Sequence, residues 1–235
     1  MFAIARSEMT QLFRNRLVAA SSLFIPLAFS AVLIFTRENF GGTAVVAALI
    51  LVTVTAMGTY ITATTTLASR RQNLFLKRLR STAASDGSIL SGLVLPITLV
   101  NVLQVGVIVA VLSAVGAPPQ GVLAITLAVV SLELLFVGAA IATAGLTNSP
   151  DHAQVTTLPL FVVVLGAAMW VGLTGTEELT AVKRLIPGGA VTELIIEGWS
   201  GMALHETVSL LLPSLAFVVA AFAAAKSTFR WEPRA

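Results

Sequence analysis

Three groups of residues in this chain have types and spacing that bear on chemistry. The first is Glu133, alone in a Val-, Leu- and Ala-rich run. A carboxylate in an apolar segment serves charge recognition or proton transfer by default, because an ion in hydrocarbon must be compensated. One such acid is fewer than a proton-coupled antiporter usually carries. The second is Ser200, in Gly198-Trp199-Ser200-Gly201, with His205 shortly after it. A serine nucleophile needs a base held rigidly within hydrogen-bond reach, and two neighbours in one connecting segment do not meet that requirement. The third is a cationic cluster from Arg70 to Arg80. Two His and no Cys exclude disulfides, thiol nucleophiles and thiolate metal sites. His152, beside Asp151, reads as a solvated loop residue. No Gly-x-x-x-x-Gly-Lys-Ser/Thr phosphate loop is present, so neither a cofactor nor enzymatic activity is expected in this chain.

The cationic cluster has an apolar component. Leu74, Phe75, Arg78 and Leu79 fit one face of a short helix, with Leu76, Lys77 and Arg80 around it. Residues 81–88 then read as turn, with Asp86-Gly87 as the sharpest signal. A plain anchor on anionic lipid accounts for the charge. It does not account for the apolar stripe, which fits a docking handle for another protein.

A second informative segment covers 174–207. Leu179, Val182 and Leu185 precede Pro187-Gly188-Gly189, and Val191, Leu194, Ile195 and Trp199 follow it. Two short helices around a Pro-Gly turn are expected. Their apolar faces would dip into a membrane or plug the top of a bundle, which broken backbone tolerates only where protein or water satisfies it.

The elements that must position these residues are membrane helices. The chain is 57% hydrophobic and 11% charged, with mean hydropathy +0.94, where soluble domains carry about 25% charged residues. Six spans are expected, near 17–35, 44–68, 89–115, 122–146, 156–173 and 208–225. Eleven of the fourteen Lys and Arg fall in alternate gaps: Arg6, Arg14, Arg16, Arg70, Arg71, Lys77, Arg78, Arg80, Lys226, Arg230 and Arg234. Only Arg37, Lys183 and Arg184 lie in the others, among six Glu. This asymmetry predicts both termini on the cytoplasmic side. The pI near 10 reflects these flanking cations and does not imply nucleic-acid binding. Residues 1–16 read as an amphipathic interfacial helix, with Phe2, Ala5, Met9, Leu12 and Phe13 on one stripe. Gly138, Ala142, Gly145 and Gly166 suggest close helix packing. Few polar groups in the spans favour an apolar or amphipathic substrate.

The two informative loops, in this order among six spans, resemble the ABC-2 family of ATP-binding-cassette transporter permeases. The likeness is greatest to the drug and antibiotic exporter branch, of the daunorubicin-resistance and nodulation-permease type. That family typically carries a Gly-x-Leu-Lys-Arg-Leu-Arg-x-Thr-Pro-like stretch between helices 2 and 3. Phe75-Leu76-Lys77-Arg78-Leu79-Arg80-Ser81-Thr82 matches it, with Ala83 in place of the Pro and Gln72 and Asn73 in place of an acidic residue and a Gly. Pro187-Gly188-Gly189-Ala190-Val191-Thr192-Glu193 matches a second stretch, before helix 6. Thr228-Phe229-Arg230-Trp231-Glu232 is similar to the family's chain ends. The resemblance covers essentially the whole chain as one transmembrane domain.

The resemblance implies one permease of an exporter in a bacterial plasma membrane, paired with itself or a sister permease in contact with lipid. Cytoplasmic ATPase subunits, carrying ATP and Mg, would dock on residues 74–80 within a coupling loop at 70–88. Pro187, Gly188, Gly189 and Glu193 would belong to an external gate segment. The runner-up is a stand-alone proton- or ion-coupled transporter using Glu133, and a third reading is a non-transporting membrane scaffold.

Overall fold

The computed structural model describes residues 2–14 and 20–232. Residues 17–19 of the first expected span lie outside the described residues. So do Arg16, Arg234 and the side chains of Phe2, Leu12 and Phe13. Among the described residues all regular structure is helical. The elements are α1 (Phe2–Arg14), α2 (Ile25–Phe35), α3 (Thr43–Gln72), α4 (Phe75–Arg80), α5 (Asp86–Val115), α6 (Val122–Leu146), α7 (Pro150–Thr174), α8 (Thr180–Arg184), α9 (Gly189–Ser200) and α10 (Leu204–Thr228).

Five helices, α3, α5, α6, α7 and α10, are long and apolar enough to cross a membrane. The shortest have 25 residues, about 38 Å at the helical rise, against a hydrocarbon core of about 30 Å. The apolar helix at the first expected span is shorter, Ser22–Phe35, about 21 Å.

The boundaries follow local chemistry. Val122–Leu146 coincides with the apolar run. Two helices begin earlier than hydropathy predicts, because serines cap them. Ser85 accepts a hydrogen bond from the Ser88 N–H, and Ser149 from the His152 N–H, with Pro150 at the first helical position. Asp86-Gly87, expected as a turn, is therefore the first turn of α5. The Glu206 carboxylate accepts from the Ala203 N–H at the start of α10.

α3 forms the centre of the bundle. Of its most apolar stretch 83% is buried, against 22% in α10 and 28% in α7. It packs against α2, α5, α6, α7 and α9, while α10 packs mainly on α6. Small residues allow that last contact: a Cβ on Gly138 would come 3.0 Å from Ala221 Cβ and 3.1 Å from the Phe222 nitrogen. The Thr228 hydroxyl donates to the Ala142 carbonyl across the same seam. Gly166 differs from expectation: a Cβ there would meet nothing within 4 Å.

The bundle has two unlike ends. α1, α4 and the segment after α10 gather at one, tied by Glu8–Arg70 and Lys77–Glu232. The α5–α6 connection, α8 and α9 gather at the other, where the Gly121 N–H donates to the Gly198 carbonyl at 2.8 Å.

Candidate functional site

At the first end the chain leaves α3 through Leu74, which has a left-handed backbone (φ 57°). That conformation is costly for a residue with a Cβ. Leu74 is thus a turn residue outside the helix, and it is exposed. The helix itself is Phe75–Arg80. Leu76 is completely buried, and Phe75 and Leu79 pack partly against the core. The inward face is therefore Leu76 with Phe75 and Leu79, not the stripe beginning at Leu74. Lys77, Arg78 and Arg80 face outward. The segment after α10 braces them: Lys77 Nζ lies 3.0 Å from Glu232, and the Arg80 guanidinium lies 5.3 Å from the Trp231 ring centroid. Arg80 also pairs with Asp86 at 3.4 Å.

Glu133 lies deep in the bundle, 5% exposed. It faces an irregularity in α3, a π-helical turn at Ala56–Ile61. Such turns shift side chains out of helical register and free carbonyls. The Thr59 hydroxyl, within this turn, donates to Glu133 Oε2 at 2.7 Å. The Asn101 amide covers Gly58 and donates to the Val54 carbonyl at 3.0 Å. The Gln104 amide likewise donates to the Leu23 carbonyl, in the π-helical turn before α2. Tyr60 and Thr143 hydroxyls meet at 3.0 Å. Glu133 Oε1 is buried without a protein partner.

A cleft of about 940 Å³ opens elsewhere, between α1, α2, α3, α5 and α7. Thr62, Thr65, Thr66 and Ser69 present one face of α3 to it, with Met57 and Ile61 farther along the helix from the first end. Glu8, Gln11 and Arg70 line it near the first end. Arg70 donates to Glu8 Oε2 at 2.8 Å and also to Gln11. Its guanidinium lies 5.4 Å from the Phe75 ring centroid. Glu133 does not line this cleft.

The second end is a cap. Arg184 donates to both oxygens of Glu193, at 2.7 and 2.6 Å, and the Thr176 hydroxyl adds a third bond at 2.7 Å. Burial pushes the Glu193 carboxyl upward. The Arg184 hydrogen bonds, the Thr176 hydroxyl and the Arg184 charge outweigh it and hold the carboxyl below its ordinary range. Lys183 is buried, donating to Thr174 Oγ1 and to the Gly175 carbonyl at the end of α7, over the Trp170 ring. Pro187 leads into two glycines that the geometry requires. Gly188 has φ 95°, and a Cβ on it would fall 2.8 Å from Val164 Cγ1. A Cβ on Gly189 would collide with the Lys183 carbonyl. The Trp199 indole donates to the Ala117 carbonyl at 2.9 Å, fastening α9 to the α5–α6 connection. Ser200 and His205 are both exposed, and the Ser200 hydroxyl is directed at the Ile196 carbonyl at 3.5 Å.

No known family model matches this chain, and no curated protein matches it.

Glu8, Thr59, Asn101 and Gln104 went unnoticed in the sequence. The two amides had a legible signal, since Asn101 and Gln104 sit three apart within an apolar span and such groups in hydrocarbon need partners. Glu8 is the only acid in α1 and shares its face with Ile4, at a spacing of four.

Proposed function

We propose that this chain is the permease subunit of an ATP-driven exporter of the ABC-2 type, moving an apolar or amphipathic substrate such as a drug, lipid-like metabolite or peptide. The observation that carries the reading is the build of α4. A six-residue helix sinks one leucine completely into its own bundle and turns Lys77, Arg78 and Arg80 outward at the foot of the central helix. An anchor on lipid has no need of so firm a seat. A push received there passes directly into α3, the element that contacts most of the others.

On this reading all six apolar runs cross the plasma membrane. The basic end faces the cytoplasm, as the Lys and Arg asymmetry predicts. ATP and Mg belong to a separate ATPase bound beneath α4, and a second permease copy or a sister permease completes the complex. α8 and α9 form the external gate segment, held by the Arg184–Glu193 pair. The test is purification of the tagged protein in gentle detergent, followed by an ATP hydrolysis assay. The expected outcome is a co-purifying ATPase whose retention is lost when Lys77, Arg78 and Arg80 are changed to Glu. A single species with no hydrolysis, from cells that make the protein in working form, would sink the reading.

One observation favours a stand-alone proton- or ion-coupled transporter: the buried, unpartnered Glu133 Oε1. In that case Glu133→Gln abolishes transport driven by an imposed pH or ion gradient in vesicles lacking any ATPase. Under the exporter reading no such gradient-driven transport exists to be lost.

A further inference from the structure

The cleft runs along α3 from Met57 to Arg70, about 20 Å at the helical rise. That length suits a molecule with a polar head and an apolar tail. Its part farthest from the first end is lined by Ile25, Met57 and Ile97. Toward the first end the wall becomes a ladder of hydroxyls at positions 62, 65, 66 and 69, the spacing of one helix face.

Two features of the polar part restrict the occupant. Among the described residues its charged lining consists of two carboxylates, Glu8 and Asp151, and two guanidiniums, Arg14 and Arg70, whose formal charges balance. A charged head entering it would surrender hydration without a net counter-charge. Near the first end, Glu8 and Arg70 satisfy each other only in part. Glu8 Oε1 and Arg70 Nε are buried with no partner, and Glu8 as a residue is 6% exposed. One is an acceptor and the other a donor. A hydroxyl both donates and accepts, so neighbouring hydroxyls on one molecule answer both groups at once.

We infer that this cleft binds an uncharged, hydroxyl-rich amphipath, with its polyol head on Glu8, Arg70 and the α3 hydroxyls and its apolar tail toward Met57 and Ile97. Glu133 takes no part. For its transport consequence the inference rests on the permease reading. Its test is a binding measurement that needs no ATPase, so the two readings fail separately.

The chain has no cysteine, so Thr66→Cys places a single thiol in the cleft wall. The full-length variant in lipid nanodiscs is labelled with a maleimide in the presence of four probes sharing a twelve-carbon tail, all below their micellar concentrations. The probes are dodecyl maltoside, dodecylphosphocholine, dodecyl sulfate and dodecyltrimethylammonium. Dodecyl maltoside is expected to protect the thiol at about one tenth the concentration of the other three. Thr126→Cys, on the exposed face of α6, is expected to show no such order. In an Asp151→Asn background the lining gains one net positive charge while the Glu8–Arg70 pair stays intact, and dodecyl sulfate is expected to approach dodecyl maltoside. Equal protection by dodecylphosphocholine removes the hydroxyl requirement. An order led by a charged probe, an order unchanged by Asp151→Asn, or a Thr66→Cys thiol that never labels in folded protein overturns the inference.

Discussion

The two ends of the bundle are each held by ion pairs, yet they are built oppositely. At the α8–α9 end, Glu193 is 7% exposed and receives three hydrogen bonds. Two glycines allow the backbone to close against α7 and the end of α8. At the α4 end, Lys77 and Glu232 are 61% and 66% exposed, and Arg80 and Asp86 are comparably open. Desolvated, multiply bonded charges fix a geometry and are costly to disturb. Exposed pairs contribute little to stability and remain available to other partners. One end is therefore a fixed cap. At the other, the buried Glu8–Arg70 pair holds α1 to α3, while α4 itself presents an accessible surface seated mainly on one fully buried leucine.

If that contrast is right, the largest effect at the open end comes from its apolar anchor and not from its charges. Leu76→Asp would bury an unpaired carboxylate, and a loss of about 4 kcal/mol or more is expected. Thermal unfolding in nanodiscs should fall steeply, with α4 detaching first under limited proteolysis. A Leu76→Asp protein as stable as its parent would remove the anchor role. Docking experiments on Leu76 variants consequently report stability as well as coupling.

At the cap, Glu193→Gln leaves Arg184 without its counter-charge. A loss of about 2 to 3 kcal/mol is expected, moderated because Arg184 is partly exposed. The pH dependence has a definite sign. The Glu193 carboxyl titrates below its ordinary range in the folded protein. Its contribution is thus complete above the unfolded carboxylate value and is lost as pH falls through the lowered folded value. The unfolding temperature should drop over that acidic interval in the parent and show a smaller drop in Glu193→Gln. Equal acid sensitivity of the two proteins would show that the pair does not secure the cap.

The contrast was only partly legible in the sequence. Long apolar runs located α3, α5, α6, α7 and α10, because hydropathy summed over a run of about 20 residues outweighs local detail. Their starts were missed where Ser85 and Ser149 cap polar first turns, which hydropathy scores as loop. Pro187-Gly188-Gly189 marked the cap correctly as a break between short helices. What it closes against, Val164 on α7 and Lys183 on α8, depends on tertiary contact. The inward face of α4 was misread. A six-residue helix gives periodicity too little length, and the left-handed turn at Leu74 rotates the face toward Leu76. The π-helical turn in α3 was invisible, since Ala56–Ile61 carries no residue pattern that separates it from ordinary helix.

A smaller effect tests the strained turn that aims α4. Leu74 is exposed, so Leu74→Gly loses little packing and relieves the left-handed backbone. Against the added freedom of glycine in the unfolded chain, a net gain of about 0.5 kcal/mol is expected. Destabilisation of more than that would mean the Leu74 side chain holds the turn through contacts of its own.

The smallest expected change in stability belongs to the residue with the largest expected role at this end. Lys77→Glu should alter stability by less than about 0.5 kcal/mol, because the Lys77–Glu232 pair is exposed. The same substitution reverses the charge offered to a docking partner. The double reversal, Lys77→Glu with Glu232→Lys, separates the two roles. It restores the bridge to the chain's own tail while keeping an acid on α4. If α4 is a docking surface, ATPase retention stays lost in the double variant although stability is fully parental. If retention returns with the bridge, α4 needs only to be held by the tail and its outward cations recognise nothing. The two ends would then differ in rigidity alone.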